Sequence, residues 1–106
     1  IESDRGCFTP RGFYAQTSDP LLKKMQSWVP VLNKSLIEWV LPGGAGSDIS
    51  PIKNAKALIG YVPDNQRYMD LHHSANDTYD KVHPREMELG ASAMAILVYL
   101  LSEEGL

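Results

Sequence analysis

The residues able to do chemistry in this 106-residue chain collect in three places. The densest is "MDLHHSANDTYDKVHP", Met69 to Pro84. There two of the three histidines, His72 and His73, stand side by side ahead of Asn76, Asp77, Thr78 and Asp80. Neutral imidazole suits Zn²⁺, and one histidine with carboxylates from elsewhere is a common ligand set of zinc hydrolases. Neighbouring side chains of an extended segment point to opposite sides, so the pair is not expected to bind one ion equally. One should face a site and the other should flank it. Asp77-Thr78 can form a turn that fixes this loop, or place a carboxylate behind an imidazole. The plain alternative is a pair of solvated loop histidines, or one hydrogen-bonded structural group.

The second place is "PGGAGSDISP", Pro42 to Pro51. It contains neither GK[ST] nor GxGxxG, so it is not a nucleotide-phosphate loop. Its glycines would let backbone approach a ligand and would present Ser47 and Asp48 at the tip. An ordinary strand-to-helix turn accounts for them equally well. The third place is Asp4, closing the strand-like "IESD"; alone it means little.

Composition narrows the partners. The apolar fraction of 43% is enough for the core of one ordinary domain. A net charge of −3, with no basic run longer than Lys23-Lys24, argues against nucleic acid or an anionic membrane as the main partner. The longest apolar run, Ala93 to Leu101, is too short for a bilayer span. The lone Cys7 excludes an intramolecular disulfide and a cysteine-rich zinc site. "IESD" reads as the end of a strand, which suggests a piece of a longer protein.

The elements that must position these groups follow from pattern. Gly6–Pro20, with two glycines and two prolines, reads as loop. Ser18-Asp19-Pro20 is a helix start, and Leu21, Leu22, Met25, Trp28 and Val29 recur at helical spacing until Pro30 ends or kinks the run. Ser35–Leu41 and Lys56–Val62 read as strands, the second covered on both faces because it lacks alternation. "PIKNA" after Ser50 reads as one helical turn. Pro84 opens a long helix to about Glu103, with Glu86 and Glu88 at its positive end. Its apolar stripe, Tyr99 included, is expected in the core. Trp28 and Trp39 are expected to pack, His83 to enter the helix, and Lys23-Lys24 and Glu103-Glu104 to face water. This alternation predicts an α/β domain with a mainly parallel sheet. Sites on such sheets lie at the carboxyl ends of strands, where Asp4, the glycine loop and the histidine pair are all expected.

In this order and spacing, "ESDRG", "GGAGSDISP" and "LHHSANDTYDKVHPREM" resemble the C-terminal half of a di-zinc metallopeptidase family. It is the family of plasma glutamate carboxypeptidase, within the broad group of bacterial leucyl aminopeptidases and glutamate carboxypeptidase II. The resemblance runs over nearly the whole chain. It implies that residues 1–106 are the C-terminal part of one catalytic domain with a three-layer α/β/α fold and a mainly parallel sheet. Relatives hold two zinc ions with five side chains. By position, Asp4 and His73 look like two of these ligands, on different zincs. His72 takes the place of a residue that stabilises the tetrahedral intermediate. Ser47 and Asp48 match a loop lining the substrate pocket. The implied activity is release of terminal residues from peptides, as an aminopeptidase or a carboxypeptidase or dipeptidase, in a secreted or periplasmic protein.

The first histidine ligand, the bridging aspartate and the Glu-Glu pair containing the general base do not occur in these residues. A bridging group must hold two ions roughly 3.5–4 Å apart, so the chain alone is expected to be silent, to hold zinc weakly or not at all, and to self-associate through an uncovered sheet edge or apolar face. Two other readings stay open. One is a non-catalytic binding domain on the same fold, and the other is an independent small α/β domain with a mononuclear metal site.

Overall fold

The computed structural model describes residues 1–3, 8–44, 46, 49, 51–64 and 84–105. Strand β1 (Pro10–Thr17) is followed by helices α1 (Asp19–Gln26) and α2 (Val29–Leu32). A 3₁₀ turn (Asn33–Ser35), strands β2 (Trp39–Pro42) and β3 (Ala57–Pro63), and helix α3 (Pro84–Glu104) complete the order. The strands form a sheet in the order β2-β1-β3.

β1 lies in the stretch whose glycines and prolines read as loop, and Pro10 and Gly12 each have a structural use there. Pro10 is the first residue of the strand, where a missing N–H is tolerated. Gly12 lies opposite Trp39, whose ring and carbonyl occupy the space a Cβ would need. Beyond them Phe13 and Ala15 alternate into the core, so the period-2 signal was present but short. β2 is shorter and later than the apolar run that announced it. Ser35 belongs to the 3₁₀ turn, and Leu36 has a left-handed φ of 67° that ends it. Ile37 is spent on the core instead of on the ladder. β3 is buried along almost its whole length, as its unbroken apolar run predicts.

β1 and β2 pair in parallel, but β1 and β3 are antiparallel, with Phe13 opposite Tyr61. The expected mainly parallel sheet is therefore a mixed one. A parallel bridge joins Glu2 to Gly60, with Glu2 N–H donating to the Ile59 carbonyl (2.8 Å) and Tyr61 N–H to the Glu2 carbonyl (2.9 Å). Residues 1–3 thus lie along the outer side of β3.

One sheet face carries Phe13, Ala15, Val40, Ile59 and Tyr61, and the three helices, with Trp28 between the first two, cover it through Met25, Leu32, Ala93 and Leu97. Each fully buried large side chain contributes about 1.5–3 kcal/mol of transfer free energy. Among the described residues the helices form one layer on one face of the sheet. Pro20 occupies the first turn of α1. Pro30 sits in the first turn of α2, so the chain breaks at Ser27–Trp28 and restarts, as a helix-interior proline demands. "PIKNA" is no helix: Ile52 N–H donates to the Ile49 carbonyl (2.9 Å) in a lone turn, and one turn is too short to propagate.

Helix α3 has the predicted extent but a narrower buried stripe. Gly90, Ala93 and Leu97, at helical spacing, meet the sheet. Tyr99 is 64% exposed and Val98 52%, so the expected core position of Tyr99 is wrong. Among the described residues one sheet face lies beneath the helix, and it covers a narrow arc. Its end is closed by Gly105 at φ 70°, whose N–H donates to the Leu101 carbonyl (3.0 Å). Lys24 Nζ donates to the Glu104 carbonyl (2.9 Å), so this lysine caps the negative end of a helix as well as facing water.

Candidate functional site

Asp4, Ser47, Asp48, His72 and His73 all lie outside the described residues, as do Cys7 and His83. The described residues do show how the segments carrying them leave the sheet. Residues 1–3 run parallel to β3, so the chain beyond Ser3 and the chain beyond Asp64 depart toward the same edge. Those two departures lead to Asp4 and to the histidine pair. β2 runs with β1, and therefore its carboxyl end, which feeds the glycine loop, lies at the opposite edge, where Pro42 pairs with Ala15.

Polar side chains tie the first edge together. Pro10 pairs with Pro63 there, and Asp64 N–H donates to the Thr9 carbonyl (2.8 Å). Arg11 stands between two carboxylates, with Nη2 3.4 Å from Asp64 Oδ2 and Nη1 3.9 Å from Glu38 Oε1. Thr9 Oγ1 donates to Glu86 Oε2 (2.5 Å) in the first turn of α3. The start of β1 thus holds Asp64, the last described residue before the histidine-bearing stretch, and Glu86, in the first helical turn after it. Exposed ion pairs of this geometry stabilise little, roughly 0–1 kcal/mol each. Their value here lies in alignment.

The glycine loop returns across the sheet face opposite the helices. Residues in register share a face, so Leu41, Tyr14, Gly60 and Glu2 form one row on it. Gly43 lies on the Tyr14 ring, where a Cβ would meet Cδ1 at 2.7 Å. Tyr14 in turn packs its ring against Trp39, with centroids 5.2 Å apart, so Trp39 is a packing residue as expected. At the far end of the row, Ile49 N–H donates to Glu2 Oε1 (3.1 Å). Gly46 has a φ of +150°, and a Cβ there would fall inside the Glu2 carboxylate. Only glycine suits both demands.

The fold therefore brings the glycine loop against the segment that leads to Asp4. Glu2, though part of "ESDRG", and the Thr9–Arg11 stretch have no role assigned by the sequence alone. Glu2 could have been found as a carboxylate two residues before another, the strand spacing that puts both on one side. Among the described residues no three of His, Cys, Asp or Glu come together as a metal-binding group, and no helix is long and apolar enough to cross a membrane.

No protein-family model matches the chain, and no solved structure matches it significantly. Curated proteins do match. Carboxypeptidase Q of Bos taurus is 30% identical over 104 residues, which is 97% of this chain and 22% of the relative. The carboxypeptidase Q proteins of Pongo abelii and Homo sapiens are each 29% identical over the same share of both chains. The chain thus spans about a fifth of the length of the curated relatives it matches. Its mixed sheet with helices is compatible with an α/β fold, and its sequence ties it loosely to a peptidase family.

Proposed function

We propose that this chain is part of the catalytic domain of a di-zinc exopeptidase that releases terminal residues from peptides. The observation that carries this reading is the similarity to carboxypeptidase Q across 97% of the chain. The fold adds support, because the segments leading to Asp4 and to His73 leave the sheet at one edge. An aspartate and an imidazole are donor types that zinc takes, so the pair fits the metal. Asp4 and His73 are assigned to different ions, and the remaining ligands and the general base to other parts of the native polypeptide. Zinc, when bound, supplies Lewis acidity toward water and the peptide carbonyl. His72 donates an N–H to the oxygen that gains charge as the carbonyl is attacked. Ser47 and Asp48 line the pocket for the substrate, held by the loop that crosses Tyr14 to reach Glu2. By the same resemblance the protein is secreted or periplasmic.

The test is zinc content and release of terminal residues by the native polypeptide. About two zinc per chain with turnover supports the reading. A folded protein that binds peptides without hydrolysing them would favour a binding domain built on the same fold.

The 106 residues alone are expected to lose zinc on dialysis and to hydrolyse no aminoacyl or dipeptide substrate. Two ligands leave each ion mostly hydrated and forfeit the stabilisation of a closed site. Stoichiometric zinc after dialysis, or turnover that follows the purified chain, would overturn this. The same material is expected to self-associate. Met87, Val98 and Tyr99 expose apolar surface on α3, and the segment at Glu2 is a sheet edge of the kind that templates pairing. Light scattering across a dilution series checks it; a particle near 11.8 kDa at every concentration is the contrary result.

A further inference from the structure

Glu2 sits at the end of the row Leu41–Tyr14–Gly60–Glu2, its backbone fixed to Ile59 and Tyr61. A backbone anchored twice in a sheet fixes the point from which the carboxylate reaches, and its contacts with Gly46 and Ile49 tie the loop to that point. It holds the two described residues that flank Ser47 and Asp48: Gly46 lies against the carboxylate, and Ile49 N–H donates to it at 3.1 Å. An ionised acceptor makes this a charge-assisted bond, stronger than a loop bond between neutral groups. Resting on the peptidase reading above, we propose that Glu2 is a positioning residue for substrate binding. Its carboxylate fixes the loop bearing Ser47 and Asp48 relative to the segment that leads to Asp4, and so sets the distance between substrate pocket and metal. Glu2 does not touch the reacting atoms. Losing it frees the loop from the position that Glu2 gives it while the chemistry downstream is intact, so the loss falls on KM.

The test compares Glu2→Ala, Glu2→Gln and Gly46→Ala with the wild type in the native polypeptide. Gly46→Ala attacks the same contact from the loop side, which keeps the test valid if one variant folds poorly. Hydrogen exchange at the Ile49 amide should rise about tenfold or more in Glu2→Ala. KM for a dipeptide should rise about tenfold with kcat within about threefold. Glu2→Gln retains an acceptor for Ile49 N–H and should fall between wild type and Glu2→Ala on both readouts. Gly46→Ala should match Glu2→Ala. Exchange at Ile49 within about twofold of wild type in Glu2→Ala overturns the proposal. So does faster exchange with KM unmoved, or with kcat falling as far as KM rises. If the wild type releases no terminal residue, the peptidase reading fails on its own, and the exchange measurement alone then decides whether Glu2 holds the loop.

Discussion

Replacing His73 by alanine is expected to remove about one equivalent of zinc from the native polypeptide and to lower kcat/KM on the order of a thousandfold or more. His72→Ala is expected to keep the full zinc content and to lower kcat by about a hundred- to a thousandfold with little change in KM. The split follows from the proposed roles. Were the pair in an extended segment, its neighbouring side chains would diverge and one imidazole would face the ion. Removing that ligand leaves a site too weak to hold its metal. Removing the other leaves the metal in place and takes away a donor that acts only when charge develops on the substrate oxygen. Metal analysis of the dialysed variants, run beside steady-state kinetics, separates the two. Full zinc content in His73→Ala would refute the assignment, and zinc loss in His72→Ala would exchange the roles.

The second large effect concerns folding. Gly12→Ala is expected to destabilise the protein by about 2 kcal/mol, after the roughly 0.5–1 kcal/mol that alanine gains over glycine in a strand. The new Cβ would overlap the Trp39 ring and come within 2.6 Å of the Trp39 carbonyl. The ring could swing away, but the carbonyl is fixed by the parallel pairing of β1 with β2. Relief therefore requires the strands to part, and with them the tilted ring contact of Tyr14 with Trp39. Gly44→Ala is the matched control, because nothing lies within 4 Å of a Cβ there. It should stay within about 0.5 kcal/mol of wild type. Thermal unfolding followed by circular dichroism checks both. Equal midpoints for the two variants would show that β1 and β2 can separate at no cost.

The sequence alone determined the long last helix, the burial of β3 and the break of the first helical run at Pro30. Each depends on local physics: helical spacing behind a proline start, an unbroken apolar run, and a residue that cannot continue a helix. It also determined the family resemblance, because that rests on motif order and needs no fold. Only the tertiary structure decided that Pro10 and Gly12 begin a strand instead of a loop. Their backbone limits are satisfied by a strand start and by the nearby Trp39, a partner 27 residues away in the sequence. It decided the antiparallel pairing of β1 with β3, since strand direction is set by long-range packing, which strand composition does not encode. It decided that Tyr99 faces water, because helical spacing names an apolar arc and the sheet beneath chooses how much of it to cover. And it assigned Glu2 its place against Gly46 and Ile49. Those contacts join residues 44 and 47 positions apart, and the Glu2–Asp4 spacing in "IESD" carries no local sign of which residues Glu2 meets.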